Sequence, residues 1–572
     1  MVNYKERIAE IISSKIDDLS LEDAIELLEI PQDSKMGDYA FPCFRLAKVM
    51  RKAPQRIAAD ITESIKGESL FSDVQQVNAY VNMFLSKEGY IKSTLEEAID
   101  GENFGKSSMG EGKTVIVEYS SPNIAKPFHI GHIRSTVIGN SIYLIYDALG
   151  YKVRRLNHVG DYGTQFGKMI VAYRHWGNEQ DVKDAPITTL LNYYTKFHVE
   201  AEKHPELDDE ARKAFVDLEK GEEGELKLWK WFSEESMKEF NRVYKMLNIE
   251  FDEVDGESFY SDKMQRFIEE LKEKGLLEVS RGAQIVDLEK YGMPPALITK
   301  SDGSTLYCTR DIATAVYRKE TYDFYKNIYV VATQQNLYFQ QWMKVVELLG
   351  YDWVKDCIHV PFGMVSLEEG TMSTRSGRVV FLEDVLNKAV EKTREIISEK
   401  NPAADADFID EVAKQVGIGA VIFQELSNNK IKDYVFKWDK VLNFDGETGP
   451  YVQYTHARGA SVLRKAGDAI VSKAEKLDID FKYLNSDSAY ELVKLIYAFP
   501  GVVVEAGEKF EPSIITRHVV NMAQGFNRFY HDEHILTDND DEKTAKIALT
   551  IAAKNAIKRG LALLGMQAPE RM

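Results

Sequence analysis

The chain has 572 residues, 44% hydrophobic and 11% aromatic, with a formal net charge of -19. That length exceeds a single core, so three or four globular domains are expected. The acidity excludes a protein that holds nucleic acid by its overall charge, although locally gathered cations still serve RNA.

The first thirty residues carry Lys5, Glu6, Arg7, Glu10, Lys15 and Asp17, which is no signal peptide. Residues 1–105 read as a separate α+β domain. Tyr4, Ile8, Ile11 and Ile12 make a helical apolar stripe, and residues 74–85 mix β-branched, aromatic and polar residues as a strand does. Residues 107–112, rich in Gly and Ser, make a linker. Residues 106–385 are expected to form a Rossmann-type, doubly wound parallel sheet. A short apolar strand at 115–117 leads through a polar loop, 120–128, into a helix that runs to about Gly150. Ile133, Val137, Ile142, Ile145 and Leu149 give that helix one apolar stripe, with Gly150 as its C′ residue. A strand at 151–156 completes a βαβ unit, the kind that binds ligands at strand C-terminal ends.

From about 180 to 275 the chain turns charged, with Leu226, Trp229, Phe232, Phe240, Val243 and Leu247 at helical spacing. This is a helical insertion between two halves of the sheet. A second unit follows, with a strand at 328–332, a helix at 338–349 and a strand at 359–362. Residues 386–453 read as a helical connecting region, and 454–572 as a helical bundle. Residues 513–572 hold eight Lys+Arg against seven Asp+Glu, about neutral in an acidic chain. Cys43, Cys308 and Cys357 have no paired spacing, which argues against disulfides and zinc and fits a reducing cytosol. No apolar run approaches a membrane span.

Three constellations carry chemistry. The first is His129-Ile130-Gly131-His132 at the helix start, with Lys126 just before it. Free backbone N–H groups and the helix dipole face an anion there, and both imidazoles donate to one phosphate chain. A lysine adds a mobile cation, and fixed donors stabilise charge growing on a pyrophosphate leaving group. A carboxylate nucleophile needs no general base. The second is the polar loop 370–378, flanked by glycines and carrying Ser373, Arg375 and Arg378. It reads equally as a phosphate lid and as a surface turn. The third is Tyr307, Asp311 and Gln335 with Glu118 and Asn123. Tyr307 and Asp311, four apart, share a helix face, and paired carboxylates match a guanidinium. Spacing alone leaves Asp311 open as a helix cap and Glu118 as a surface strand residue.

Residues 120–136, built around Pro122-Asn123-Ile124-Ala125-Lys126-Pro127-Phe128-His129-Ile130-Gly131-His132, closely resemble the class I signature of arginyl-tRNA synthetases. Asn157-His158-Val159-Gly160-Asp161-Tyr162-Gly163, Tyr307-Cys308-Thr309-Arg310-Asp311, Ala332-Thr333-Gln334-Gln335 and the ending Ala568-Pro569-Glu570-Arg571-Met572 resemble further blocks of that family. They span essentially the whole chain in the family's order. The resemblance implies ligation of L-arginine to its cognate tRNA in two steps, through an arginyl-adenylate. It implies that Glu118, Asn123, Tyr307, Asp311 and Gln335 hold arginine. His129, Gly131 and His132 would bind ATP, with Met372, Ser373 and Arg375 of the second signature. Magnesium would accompany ATP through its phosphates, with no zinc. Lys126, His129 and His132 would be catalytic.

The second signature usually reads Lys-Met-Ser-Lys-Ser. Here it is Thr371-Met372-Ser373-Thr374-Arg375, without either lysine. The resemblance transfers their task to Lys126. It also implies that Tyr80 and Asn82 in the N-terminal domain touch the tRNA elbow. The C-terminal bundle would take the anticodon stem and loop, with Tyr530 and Met572 at bases and Arg517 and Arg528 at phosphates. A cytoplasmic monomer without membrane attachment is implied. Two rivals share the residues: a nucleotidyltransferase with the same helix start, which has no use for a C-terminal bundle, and a non-catalytic tRNA-binding paralogue, which has no use for the phosphate set.

Overall fold

The computed structural model describes residues 3–17, 19–300, 307–367, 380–400 and 402–572. The loop 370–378, with Met372, Ser373 and Arg375, lies outside them. The chain separates into two units.

One unit comprises residues 1–104, 458–499 and 521–559. Its first helix, Tyr4–Ser13, starts where the Asn3 side chain accepts from the Glu6 N–H, an N-cap that satisfies a free donor. Tyr4, Ile8, Ala9 and Ile12 are its buried face. The stretch 74–85, read as one strand, holds parts of two. Strands β1 (Tyr39–Pro42), β2 (Phe71–Val77) and β3 (Tyr80–Leu85) form an antiparallel sheet in the order β1-β3-β2. Asn78 breaks the run by adopting a left-handed turn at φ 55°, which Asn tolerates better than most residues. Tyr90 packs on Tyr497 with ring centroids 4.8 Å apart.

The other unit comprises residues 105–457, 500–520 and 560–572. Its centre is a five-stranded sheet of β4 (Thr114–Glu118), β5 (Lys152–Asn157), β6 (Glu253–Val254), β10 (Lys326–Ala332) and β11 (Cys357–Phe362). All pairings are parallel, in the order β11-β10-β4-β5-β6. Val115, Ile116 and Val117 of β4 are fully buried, as a central parallel strand covered on both faces requires. The chain runs outward from β4 through β5 to β6, then returns beside β4 as β10. The order therefore reverses between β4 and β10, and ligand crevices open at the strand C-terminal ends there.

The helix after β4, Ile133–Ala148, is buried nearly all round, so a single apolar stripe understates it. Its serines are satisfied in place. Ser135 Oγ donates to Val330 O and accepts from the Ser120 N–H, and Ser141 Oγ donates to Leu563 O. Gly150 follows the helix at φ 85°, as a C′ glycine does. Four helices, Glu179–Asp184, Pro186–Ala201, Glu206–Glu219 and Glu223–Met246, make the charged insertion, and the chain rejoins the main sheet at β6. A small antiparallel sheet then follows: β7 (Glu278–Ser280), β8 (Ala283–Val286) and β9 (Ala296–Thr299). Strands of three or four residues are too short to display a period of two.

The region 386–453 is not wholly helical. β13 (Tyr434–Phe436) pairs in parallel with β12 (Val365–Leu367). Arg134 on the central helix ties this junction down. Its Nη1 donates to the carbonyls of Gly363 and Lys432, both at 2.8 Å, and its Nε lies 3.5 Å from Glu425 Oε2. Burial pushes Glu425 up to about 7 against the pull of Arg134, and its carboxylate accepts the Tyr434 hydroxyl. The signature helix is thus clamped to the strand that leads into the second signature. Among the described residues no helix is long and apolar enough to cross a membrane.

Candidate active site

The loop from β4 to the helix contains three non-glycine residues in the left-handed region: Ser120 (φ 70°), Ser121 (φ 47°) and Ala125 (φ 58°). Such backbone persists only where surroundings over-determine it. Here they do. The Ser121 N–H donates to Asn157 Oδ1, the Ile124 N–H to Gly160 O, and the Ala125 N–H to Ser236 Oγ. Gly160 is required because a Cβ there would lie 2.4 Å from Asn123 Oδ1. The loop after β4 is thereby stitched to the block after β5.

The histidines cap their own helix. His129 Nδ1 accepts from the Gly131 N–H and His132 Nδ1 from the His129 N–H, each at 3.1 Å. A nitrogen that accepts carries no proton, which leaves the N–H of His129 on Nε2; His132 Nδ1 also lies 3.3 Å from the His129 carbonyl, so that ring's N–H can sit on either nitrogen. Burial holds both rings below the usual histidine range, His132 at about 3. They are neutral N–H donors at pH 7, with ring centroids 4.0 Å apart. Burial also lowers Lys126, while the charge of Glu257 opposes that shift.

Of the five residues expected to hold arginine, two, Tyr307 and Asp311, lie on one helix, Tyr307–Tyr322. Tyr307 stands 60% exposed at its start. Asp311 accepts the Tyr338 hydroxyl, so it is no helix cap. Burial raises Asp311 to about 6, with the charge of Glu118 adding to the shift. Glu118 is no surface residue either: it is buried at the end of β4 and paired with Arg318 at 2.6 Å. Asn123 and Gln335 are exposed, Gln335 in the turn directly after β10.

One neighbour of this group, Glu257, lies in none of the sequence blocks, whereas Arg310, Asp161 and Tyr162 fall inside them. Glu257 follows β6, half-buried and 3.0 Å from Arg310 Nη1. Burial pushes it up to about 7, opposed by Arg310 and raised further by Asp311. Asp161 positions it by accepting the Ser258 N–H and hydroxyl, and Gly256 is required because a Cβ would lie 2.0 Å from Asp161 Oδ2. Arg310 lies over the rings of Tyr162 and Tyr307. The one available clue was position: an acidic residue just past a parallel strand's C-terminal end. A cavity of about 600 Å³ lined by Val390, Ile418 and Met566 contains none of these residues, so volume does not mark this site.

The remaining candidates fall in both units. On β3, Tyr80 is half-buried and meets the exposed Phe44 edge-to-face at 5.5 Å, whereas Asn82 is 2% exposed. Asn82 lies on the central strand of that sheet and is buried there, so its amide reads no base edge as it stands. Arg528 and Tyr530 are exposed on the helix Ser513–Asp532 within the first unit, with Arg458 over the Tyr530 ring at 5.4 Å. Arg517, exposed, and Met572, packed on the Val390 cluster, belong to the second.

Three family models match in succession: arginyl tRNA synthetase N terminal domain over residues 4–85, tRNA synthetases class I (R), catalytic domain over 94–438, and DALR anticodon binding domain over 452–572. The chain is 58% identical to an arginine–tRNA ligase of Clostridioides difficile and 56% identical to one of Halothermothrix orenii, each across the full length of both chains. Among solved structures it resembles arginyl-tRNA synthetase of Thermus thermophilus, with a TM-score of 0.82 and 24% identity over all of both chains. It also resembles that of Plasmodium falciparum, at 0.78 and 25%, covering all of this chain and 98% of the other. The expectation raised by the sequence blocks is met: the chain belongs to the arginyl-tRNA synthetases, class I enzymes with an N-terminal domain, a parallel-sheet catalytic domain and a helical anticodon-binding domain.

Proposed function

We propose that this protein ligates L-arginine to its cognate tRNA at the site just described. In the first step the arginine carboxylate attacks the α-phosphorus of ATP. A carboxylate–phosphate bond forms, the bond to the β-phosphate oxygen breaks, and pyrophosphate leaves. In the second, a hydroxyl of the tRNA's terminal ribose attacks the activated carbonyl and AMP leaves with the bonding pair. The observation that carries this reading is the adjacency of two chemistries. Neutral imidazole N–H donors and one ammonium suit a phosphate chain, and the carboxylates around Tyr307 and Asp311 suit a guanidinium. The chain's residues orient the two substrates and hold charge on the departing pyrophosphate; no side chain has to remove a proton from the attacking carboxylate.

Glu118, Asn123, Tyr307, Asp311 and Gln335 take arginine in this reading, joined by Glu257. His129, Gly131, His132 and the second-signature residues Met372, Ser373 and Arg375 take ATP. Magnesium enters as counter-ion of the phosphates. The donors here fit that role, since they are cations and N–H groups rather than metal ligands, and among the described residues no group of three or more His, Cys, Asp or Glu forms a cage. The test is aminoacylation with radiolabelled arginine and total tRNA. Arginine-dependent, tRNA-dependent pyrophosphate exchange is expected; AMP transfer to a small metabolite without tRNA favours a nucleotidyltransferase, and no turnover a binding paralogue.

For tRNA, the reading divides labour among residues 1–105, 106–385, 386–453 and 454–572. The first part meets the elbow and the last the anticodon stem and loop. Tyr80 and its neighbour Phe44 offer ring faces to a splayed base, and Arg45, Lys48, Arg51 and Lys52 gather positive charge close by in sequence. Asn82 supports that platform from within the sheet. Arg517, Arg528, Tyr530 and Met572 serve the anticodon side. Tyr80→Ala is expected to raise the KM for tRNA about 5–100-fold, the value of one base–aromatic stack, with arginine-dependent kcat nearly unchanged. Steady-state charging kinetics check it, and an unaltered KM removes Tyr80 from the interface. A cytoplasmic monomer is the working form, read by light scattering.

A further inference from the structure

Two of the pocket's three carboxylates already hold a guanidinium of the chain itself. Glu257 pairs with Arg310 at 3.0 Å and Glu118 with Arg318 at 2.6 Å. Among the described residues Asp311 forms no ion pair; its partner is the Tyr338 hydroxyl. Asp311 and Arg318 lie seven apart on one helix, hence on one face. That face presents an unpaired acid for an incoming cation and, two turns on, a fixed cation that grips the acid at the end of β4.

Arg318 is poorly built as a stabiliser. It is fully buried, Nε, Nη1 and Nη2 all lack an acceptor with hydrogen-bond geometry so that Nη1 meets Glu118 as an ion pair alone, and its neighbours include Tyr260 and the ring of Tyr329 at 5.5 Å. A buried ion pair whose remaining donors go unsatisfied contributes little to folding compared with apolar side chains of the same volume. Its use lies in the pocket. The groups whose charge reaches Glu118 are Arg318 and Asp311 on this helix, His158 after β5, Tyr260 after β6 and Tyr329 on β10. Burial holds His158 at about 4 and keeps both tyrosines protonated, so Arg318 is the cation in contact.

We propose that Arg318 is a positioning residue for amino-acid selection: it fixes the Glu118 carboxylate at the end of β4 as a second acceptor beside Asp311. The proposal rests on arginine being the amino acid activated; a wild-type enzyme without arginine-dependent exchange would sink that reading first. The experiment measures tRNA-supported pyrophosphate exchange between pH 5.5 and 8.5 for the full chain and two variants. Arg318→Met is expected to raise the KM for arginine about 10–100-fold, the worth of a charge-assisted contact, with kcat and the KM for ATP within about threefold. The shape of its arginine KM–pH profile should depart from wild type, because the Glu118 carboxylate has lost the cation that faces it. Arg318→Lys should restore most of the loss and the wild-type profile. If Arg318→Met lowers kcat or melting temperature while the shape of the KM–pH profile stays wild type, the role is structural and the proposal fails. If Arg318→Met does not fold, Glu118→Gln/Arg318→Met removes both charges. That double variant should melt near wild type with a raised arginine KM; a wild-type arginine KM there overturns the proposal.

Discussion

Lys126→Ala lowers ATP–pyrophosphate exchange about 10²–10³-fold, the usual cost of removing one donor from developing charge, and leaves the KM for arginine within about twofold. The argument is one of charge. Pyrophosphate gains negative charge as it departs, yet His129 and His132 are neutral by virtue of their burial. The second signature has Thr371 and Thr374 where the family pattern has lysines. Lys126 is the ammonium that remains beside the signature helix, and Glu257 sustains its charge against burial. Its distance from Asp311 in the network, through Glu257 and Arg310, predicts the split between the two substrates. Exchange measured at saturating arginine with tRNA present checks it. A rate near wild type would return the task to the loop 370–378.

Asp311→Asn has the larger effect on the amino acid: the KM for arginine rises about 10²–10³-fold, as for truncating one partner of a buried charge pair. Among the described residues Asp311 is the carboxylate of the three without an ion-pair partner, so substrate binding is where it finds a cation. The same reasoning gives a pH dependence. Free Asp311 titrates at about 6, raised by burial. Its ionised form attracts a guanidinium and its protonated form does not, and the bound cation pulls the pKa down. Affinity for arginine is therefore full above about 7 and falls as pH drops through 6, approaching tenfold per unit below it. In Asp311→Asn that break disappears. A wild-type arginine KM that stays flat from pH 7 to 5 would remove Asp311 from the binding role.

Much of this was legible in the chain itself. A strand, a strained polar loop and two histidines at a helix start are neighbours in sequence, and local backbone geometry alone brings Nδ1 of each ring onto an N–H of the same turn. Tyr307 and Asp311 likewise share a face because they are four apart. The parallel sheet was readable from two βαβ patterns, and β4, β5, β10 and β11 lie where those patterns put strands. The small sheet of β7–β9 and the β12–β13 pairing were not readable, because very short strands are specified by their partners rather than by their own period.

The sequence by itself determined the order of the parts, the histidine-bearing helix start and the family to which the chain belongs, since each of these rests on residues within a few positions of one another. Only the tertiary structure decided which acids are available. Glu118 and Arg318 are two hundred positions apart, Arg310 and Glu257 more than fifty, and no spacing rule connects them. The strand order that carries β10 back beside β4 closes those gaps. Burial then decides the outcome, because a charge taken out of water keeps its ionised form only where the fold supplies a partner.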